Sequence, residues 1–495
     1  MDMPDPDAAT IAHRGSIVKE LRRILPETSI IAEEEGMRAY DCDGLTAYHQ
    51  LPFLVVLPET TEQISKILQY CYKAEVKIVP RGAGTSLSGG ALPLADAITL
   101  GLGKLNSIRE IDYDNRCVVA QPGVTNLAIT QAVEDDGYYY APDPSSQIAC
   151  TIGGNVAENS GGVHCLKYGL TTNNILGLEM VLMDGEIIRV GGKYLDTSGY
   201  DLMGVVTGSE GLLGVITEVT VRILPIPPAA RAILIGFCSS EAAGNCVAAI
   251  IGAGIIPGGM EMMDRKAIHA VEEFVHAGYP LSVEALLIAE LDGPEEEVEF
   301  LTKRVGQIAR DSGASLVQAS RNEEERLLFW AGRKAAFPAI GRVSPDYYCM
   351  DGTIPRHRLP EVLKRIGEAS QRYGLGVANV FHAGDGNLHP LILYDANAPG
   401  ELESAEKFGA EILTLCVEVG GVLTGEHGVG VEKRDLMETM FTEIDLKQQQ
   451  RLKCAFDPKQ LLNPGKVFPK LHRCAELGRV HIQGGEMRFP DLPRF

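Results

Sequence analysis

The sequence predicts an α+β fold of more than one domain, for three reasons. The chain has 495 residues, which is too many for a single hydrophobic core. Between about residues 53 and 222, apolar runs typical of strands alternate with glycine-rich loops and helical patterns. The proline-rich stretch at 225–228 then interrupts this alternation. Because prolines interrupt regular structure, we expect a domain boundary there.

The first elements are expected within an N-terminal segment at 1–52 and a domain at 53–228. Residues 53–58 are apolar and predict a strand. A helix is predicted to start near Thr60 or Thr61, because apolar side chains recur at helical spacing after this capping position. These are Ile64, Ile67, Leu68 and Cys71. The next strand is predicted at 76–79, and a loop with four glycines follows at 81–90.

Residues 229–425 predict a second domain. Residues 231–237 predict its first strand, and a helix is predicted over 294–311, with Pro294 in its first turn and Gly313 after its end. Two β-α-β units with antiparallel additions indicate a ferredoxin-like cap. The remaining residues, 426–495, predict a helical C-terminal segment.

The composition excludes several classes of function. The formal net charge is −21 and no basic stripe is visible, which disfavours binding to nucleic acid or to anionic lipid. No apolar run approaches the ~20 residues that span a bilayer. The acidic start lacks the basic and apolar parts of a signal peptide, so a cytoplasmic location is expected.

The eleven cysteines are expected to be reduced thiols. They are scattered, and none of the spacings typical of an iron–sulfur cluster is present. Electrons that enter this chain are therefore expected to leave through another molecule.

Three glycine-rich loops lie in the first large domain, at 81–90, 142–162 and 208–217. A dinucleotide fingerprint G-x-G-x-x-G would require glycine where Leu87 stands, so NAD is not predicted. Successive backbone N–H groups without side chains in the way still suit a pyrophosphate. Each loop alone could be simple turn chemistry, whereas three in one domain indicate a long, extended cofactor.

A histidine pair lies in the β-prone stretch at 379–394. Asp385-Gly386 predicts a two-residue hairpin turn, which would place His382 directly opposite His389 at a separation that lets both imidazoles bind one metal ion. Glu426 could be the third ligand and would leave an open coordination position. The alternative is that the hairpin is only a polar edge.

Four motifs resemble those of FAD-linked oxidases of the vanillyl-alcohol-oxidase type. They are Arg81-Gly-Ala-Gly-Thr-Ser86, the stretch at 142–162, Gly208-Ser-Glu-Gly-Leu-Leu-Gly214 and Leu462-Asn-Pro-Gly-Lys466. The histidine pair with Gly425-Glu-His-Gly428 resembles the branch that acts on D-2-hydroxy acids. The chain as a whole is similar to the FAD subunits of bacterial glycolate oxidases. This resemblance implies a two-part FAD-binding domain of the PCMH type, with the cap inserted and the segment after 425 completing it.

The resemblance also implies which residues bind the cofactor. The pyrophosphate would be wrapped by Arg81, Gly82, Ala83, Gly84, Thr85 and Ser86. The rest of the FAD would be lined by Asp143, Ser146, Gly154, Ser160, Gly161, Glu210, Ile216 and Asn463. Some relatives attach the flavin covalently through a histidine in the first loop. Thr85 occupies that position here, so non-covalent FAD is expected.

Within this family the expected reaction is oxidation of glycolate to glyoxylate, with hydride transfer from Cα to the flavin N5. A divalent cation, with zinc as the first choice, would be held by His382, His389 and Glu426. The expected base is His427, because an imidazole has a pKa of ~6.5.

Two further residues are expected to contact the substrate. Arg333 would bind its carboxylate through a guanidinium fork, and Asn387 would hydrogen-bond it. Relatives that act on 2-hydroxyglutarate carry Thr and Lys where this chain has Phe337 and Cys349. A second carboxylate would lack partners, so small 2-hydroxy monocarboxylates, glycolate or D-lactate, are favoured.

The resemblance implies partners as well. A second FAD-family subunit and an iron–sulfur subunit would form a complex that passes electrons onward or to the quinone pool. Through these partners, the inner face of the cell membrane is the alternative expected location. The rival hypotheses are another D-2-hydroxy acid dehydrogenase, a non-catalytic flavoprotein subunit of a complex, and a non-redox flavin transferase of the same fold.

Overall fold

The first half of the chain forms two sheets and a short ribbon in the computed structural model, which describes residues 3–194 and 199–469. The strands are β1 (Ile30–Ile31), β2 (Leu54–Val56), β3 (Lys77–Arg81), β4 (Ala97–Gly101), β5 (Ile108–Asp112), β6 (Cys117–Ala120), β7 (Tyr138–Tyr139), β8 (Ile175–Val181), β9 (Ile187–Gly191), β10 (Val215–Arg222) and β11 (Leu224–Pro225). The helices are α1 (Ala8–Ala12), α2 (Arg14–Leu21), α3 (Glu34–Met37), α4 (Thr61–Ala74), α5 (Asn126–Gln131), α6 (Ile152–Glu158), α7 (Cys165–Tyr168) and α8 (Leu202–Val206).

The two sheets differ in strand direction. The first has the order β1-β2-β4-β3, in which β2 and β3 run parallel to β4. The second has the order β5-β6-β10-β8-β9 and is antiparallel throughout. Strands β7 and β11 form the ribbon. The first glycine loop leaves the end of β3, so its backbone lies at one edge of the first sheet.

Helix α4 shows how local sequence determines an element. The Thr60 side chain accepts a hydrogen bond from the Gln63 N–H at 3.2 Å, which caps the start of the helix. Glu75 ends it in a left-handed conformation with φ of 56°. The apolar side chains predicted to share one face are all buried. The predicted helix is therefore confirmed.

The second half of the chain forms one seven-stranded sheet with helices against it. The strands are β12 (Ala229–Phe237), β13 (Gly259–Asp264), β14 (Ala285–Gly293), β15 (Leu316–Ala319), β16 (Asp346–Cys349), β17 (Gly376–Phe381) and β18 (Pro390–Tyr394). The helices are α9 (Ser240–Gly252), α10 (Arg265–Val275), α11 (Glu295–Asp311), α12 (Glu323–Lys334), α13 (Ala336–Ile340), α14 (Leu359–Tyr373), α15 (Glu401–Glu418), α16 (Met437–Met440) and α17 (Glu443–Phe456).

The cap sheet has the order β15-β12-β14-β13-β17-β18-β16, with every neighbouring pair antiparallel. Its first four strands, connected through α9 and α11, follow the split β-α-β arrangement of a ferredoxin-like unit. Strands β16 to β18 extend this unit and carry the histidine hairpin. The expected ferredoxin-like cap is thus present.

The chain returns to the first sheet after the cap. The backbone N–H of Asn463 donates to the Ile78 carbonyl at 2.7 Å, and the N–H of Ile78 donates to the Leu461 carbonyl at 2.8 Å. The N–H of Val431 donates to the Ser88 carbonyl at 2.9 Å, which ties the loop after Glu426 to the first glycine loop. Residues 470–495 of the predicted C-terminal segment lie outside the described residues.

The predicted hairpin register is wrong by two residues. His382 pairs with Asn387, not with His389, and the turn spans four residues, 383–386. Gly386 has a positive φ of 88°, whereas Asp385 has not, so the turn is not of type I′. Because a shift of two residues preserves the face of a strand, the two imidazoles still point to the same side, as diagonal neighbours.

Nine cysteines within the described residues are free thiols. Across residues 3–194 and 199–469, no helix combines the length and the apolar character needed to cross a bilayer.

Candidate active site

A cavity of about 520 Å³ lies where the glycine loops meet the cap and the loop after Gly425. Nine of the predicted cofactor residues line it: Gly82, Ala83, Gly84, Thr85, Ser86, Ser146, Gly154, Ser160 and Glu210. The first loop must run close to its neighbours, since a Cβ on Gly82 would lie 2.5 Å from Oγ1 of Thr151. Gly84 also has a positive φ of 72°. The cavity thus has a backbone lining along its length.

The other predicted cofactor residues lie behind this lining. Arg81 donates from Nη1 to the Cys42 carbonyl at 2.7 Å. The Asn463 side chain donates to the carbonyls of Gly90 and Glu210, at 3.1 and 2.8 Å. These side chains position the loops rather than contact the space between them.

Three more of the predicted cofactor residues also lie outside the cavity wall. Ile216 is buried in β10. The Gly161 N–H donates to Oε2 of Glu426 at 3.0 Å. Asp143 accepts from Nδ1 of His164 at 2.9 Å. The sequence-based set therefore divides into groups that line the cavity and groups that hold its wall.

The three predicted metal ligands come together at the end of the cavity nearest the cap. Nε2 of His382 lies 3.3 Å from Oε1 of Glu426, and Nε2 of His389 lies 3.1 Å from the same oxygen. The candidate ligand atoms of the three residues lie within 4.8 Å of one another. All three side chains are at least mostly buried. Two imidazole nitrogens and a carboxylate converging on one point are a donor set that suits a divalent cation.

The opposite nitrogens of the two rings are held by other groups. Nδ1 of His382 donates to Oε1 of Glu261 at 2.6 Å, and Nδ1 of His389 donates to the Met350 carbonyl at 3.3 Å. A bound cation would replace the protons on Nε2 that face Glu426, while the Nδ1–H contacts would keep the orientation of each ring. The residues present therefore fit a metal ion.

Burial alone would raise the pKa of Glu426, but hydrogen bonds with the two imidazoles outweigh it and hold the pKa well below its usual range. Glu426 is thus an anion at neutral pH, as a metal ligand must be.

The loop that carries Glu426 and His427 is fixed by Asp351. Oδ2 of Asp351 accepts from the backbone N–H of Gly425 at 3.0 Å and of His427 at 2.9 Å, and from the Thr424 hydroxyl at 2.5 Å. A fully buried carboxylate with these partners orients two adjacent side chains toward one cavity.

His427 lines the cavity and stacks on His389, with ring centroids 5.0 Å apart and planes at 12°. Its Nδ1 is buried and has no hydrogen-bond partner among the residues that the structure describes. Burial lowers the pKa of His427 to about 4. The ring is therefore neutral at pH 7.

Arg333 does not line the cavity. Its Nε donates to Oε2 of Glu261 at 2.8 Å, and its Nη2 lies 2.7 Å from the same oxygen, in a buried ion pair. The adjacent Lys334 is exposed and does line the cavity. Asn387 lies behind the wall, where a Cβ on Gly425 would lie 2.5 Å from the Asn387 side chain.

Sequence reasoning missed Glu261, Asp351 and Lys334. Glu261 lies on β13, 121 residues before His382. A charged residue inside the apolar run of β13 was the available signal for Glu261, and an Asp-Gly pair following β16 was the signal for Asp351. For Lys334 the signal was its position next to Arg333.

Comparison with known proteins agrees with this arrangement. The family of FAD linked oxidases, C-terminal domain, matches residues 226–467, and the FAD binding domain family matches residues 52–191.

Two curated relatives share the name glycolate oxidase subunit GlcD. The one from Escherichia coli (strain K12) is 55% identical over 493 residues, which cover 100% of this chain and 98% of the relative. The one from Bacillus subtilis (strain 168) is 40% identical over 88% of this chain and 93% of the relative. A D-lactate dehydrogenase from Archaeoglobus fulgidus is 35% identical over 85% of this chain and 92% of the relative.

Solved structures show the same fold at low sequence identity. p-Cresol methylhydroxylase has a TM-score of 0.80 at 16% identity and covers 93% of this chain and 97% of its own. A 4-ethylphenol oxidase from Gulosibacter chungangensis has a TM-score of 0.78 at 18% identity and covers 94% of this chain and 99% of its own. The predicted two-part FAD-binding fold with an inserted cap is confirmed. The chain belongs to the family of FAD-linked oxidases and takes FAD as its cofactor.

Proposed function

We propose that the protein is a dehydrogenase that oxidises glycolate to glyoxylate and also accepts D-lactate. One observation carries the proposal: the cluster of His382, His389 and Glu426, with His427 beside it, opens into the cavity lined by the FAD loops. The names of the relatives support the same substrate class, with glycolate favoured by the higher identity. The remaining alternative within this class is a preference for D-lactate or another D-2-hydroxy acid.

FAD supplies the two-electron acceptor of this reaction, held non-covalently because threonine stands at position 85. We propose that His382, His389 and Glu426 hold a divalent cation, with zinc as the first choice. A cation there would act as a Lewis acid toward the substrate hydroxyl. The support is the convergence of the three ligand atoms and the fixed orientation of both rings.

His427 is the proposed base. A neutral imidazole that lines the cavity can take the proton of the substrate hydroxyl. Asp351 holds the backbone of His427 and so keeps the ring in place through the reaction.

The substrate carboxylate needs a cation, and two candidates lie side by side. Glu261 accepts a hydrogen bond from Nε of Arg333 and forms an ion pair with Nη2, but Nη2 has no hydrogen-bond partner among the described residues, so the proposed clamp would use Nη1 and Nη2. Lys334 adds a second positive charge on the cavity wall. Asn387 remains the proposed hydrogen-bond partner, as its Oδ1 has no other partner among the described residues.

The wall beside the metal ligands favours a small substrate. Phe337 and Pro338 line the cavity, and the Phe337 ring lies 6.4 Å from that of His389. A second carboxylate next to these apolar groups would be desolvated without a partner. Short 2-hydroxy monocarboxylates fit this wall.

We further propose that the chain works within a complex. The curated relatives are named as subunits, which supports an assembly of several chains. The proposed partners are a second FAD-family subunit and an iron–sulfur subunit, in the cytoplasm or at the inner face of the cell membrane. Separately, we propose that the domains end at residues 52, 228 and 425, as the sequence predicts.

An anaerobic titration tests the proposed activity. Glycolate added to purified holoprotein should bleach the flavin absorbance near about 450 nm. Flavin that stays oxidised with both glycolate and D-lactate would contradict the proposal and favour a non-catalytic subunit. Turnover without any electron acceptor would favour the flavin transferase.

A further inference from the structure

One acidic side chain on the cavity wall has no role in the site described so far. Glu158 is the last residue of α6 and lines the cavity. Its Oε2 is buried, and no residue in the described part of the chain makes a hydrogen bond with this oxygen. A buried polar atom without a partner is costly, so its partner is expected to be the molecule that fills the cavity.

The carboxyl group of Glu158 is held between two glycines. A Cβ on Gly428 would lie 2.2 Å from its Oε2, and a Cβ on Gly90 would lie 2.8 Å from its Oε1. A side chain at either position would displace the acid from this place. The contact with Gly428 places Glu158 next to the loop of His427, at the end of the cavity where the reacting part of the cofactor must lie.

The charges around Glu158 favour its neutral form. Burial and the neighbouring Glu210 raise the pKa of Glu158 well above its usual range. The charge of Asp43, on the N-terminal segment, also raises this pKa, whereas the charges of Lys433 and Lys466 lower it.

The neighbouring charged groups already have partners. Glu210 accepts from the N–H groups of Val429 and Gly430, both at 2.7 Å. Lys433 pairs with Glu432 at 3.1 Å. The negative pyrophosphate of FAD adds to the charge that disfavours a second anion. Of the two neighbouring acids, Glu158 therefore keeps its proton.

We propose that Glu158, as a neutral carboxylic acid, donates a hydrogen bond to the flavin ring of bound FAD and is a positioning residue for that ring. The inference rests on FAD binding within the proposed function and needs no turnover. A donor aimed at the ring stabilises the electron-rich reduced form more than the oxidised form. It therefore also sets the reduction potential.

Two substitutions of similar volume separate the possibilities. Glu158→Gln keeps a donor without a titratable group, whereas Glu158→Met removes the donor. Glu158→Ala is a second donor-free variant in case Glu158→Met does not fold, and Glu368→Gln changes an exposed acid on α14 as a control. The readouts are the dissociation constants of FAD and of ADP for the apoprotein and the midpoint potential of the holoprotein.

The donor-free variant should bind FAD about tenfold more weakly than wild type, whereas its affinity for ADP should be unchanged. The same variant should bind reduced FAD more weakly than wild type by a further factor of about ten, compared with oxidised FAD. This difference lowers the midpoint potential by about 30 mV. The dissociation constants of FAD for Glu158→Gln and Glu368→Gln should stay within about threefold of the wild-type value.

Tighter FAD binding by Glu158→Gln would show an ionised Glu158 and overturn the proposal. Equal FAD binding without the donor, or equal weakening of ADP, would overturn it as well. None of these readouts uses glycolate, so a failed substrate assay leaves this test intact.

Discussion

The carboxylate of Glu261 joins His382 to Arg333. Its Oε1 accepts from Nδ1 of His382 at 2.6 Å, and its Oε2 accepts from Nε of Arg333 at 2.8 Å. Burial alone would raise the pKa of Glu261, but the positive charge of Arg333 and the contact with His382 lower it. One anion thus orients the proposed metal ligand His382 and neutralises the positive charge of Arg333, the proposed carboxylate clamp.

Glu261→Gln should weaken metal binding by about 10- to 100-fold, because the charge that orients His382 is lost. The measurement is the metal dissociation constant from competition with a chelator, together with the metal content of the purified protein. FAD content should not change, since Glu261 does not line the cavity.

Glu284→Gln provides a matched control on the same domain. Glu284 pairs with Arg265 at 2.8 Å, but both side chains are exposed. Surface ion pairs contribute little, so this variant should bind metal as the wild type does. Unchanged metal affinity in Glu261→Gln would contradict the role of Glu261 in orienting His382.

His427→Asn should slow the reduction of the flavin by glycolate by about 10²- to 10⁴-fold, the usual contribution of a general base. Stopped-flow absorbance under anaerobic conditions measures this rate. FAD and metal contents should remain as in wild type, because His427 is not one of the three ligands. The exposed His357→Asn is the control. A rate within tenfold of wild type would remove His427 from the role of base.

The elements with local signals were predictable from the sequence, whereas the register of the hairpin was not. Helix α4 follows from a cap and from helical spacing within fourteen residues. The hairpin turn is held by distant backbone: the N–H of Gly384 donates to the Met260 carbonyl at 3.0 Å, and that of Leu388 to the Gly352 carbonyl at 2.9 Å. These contacts favour a four-residue turn over the two-residue turn that Asp-Gly indicates.

The candidate ligands were found in the sequence because each lies in a short motif. Their supporting residues were not found, since Glu261 lies on another strand and Asp351 lies 75 residues before Glu426. The placement of Arg333 in a buried ion pair could not be foreseen either, because its partner is 72 residues away.

Lys334→Gln should raise the KM for glycolate by about tenfold and leave the melting temperature unchanged, because Lys334 is exposed at the cavity wall. Arg333→Lys should raise the KM and also lower the melting temperature, since an ammonium cannot reproduce both contacts with Glu261. Steady-state kinetics and thermal unfolding measure the two effects. An unchanged KM in either variant would exclude that residue from carboxylate binding.

The contact between the FAD domain and the cap predicts a pH dependence of stability. Nδ1 of His164 donates to Asp143 at 2.9 Å, and its Nε2 lies 3.2 Å from Oε1 of Glu290 on β14. Burial alone would lower the pKa of His164, but the two carboxylates outweigh it and raise the pKa to about 10. The unfolded value is ~6.5. The stabilisation by the imidazolium is therefore complete below about pH 6.5 and is lost as the pH rises to about 10.

His164→Gln isolates this contribution. At pH 6 the variant should be less stable than wild type by an amount on the order of a few kcal/mol. The difference should shrink between pH 6.5 and 10, because only the wild type loses its proton there. Urea unfolding of both proteins at several pH values measures it, with His357→Gln as an exposed control. A difference that stays constant up to pH 10 would show that His164 contributes through packing or neutral hydrogen bonds rather than through its charge.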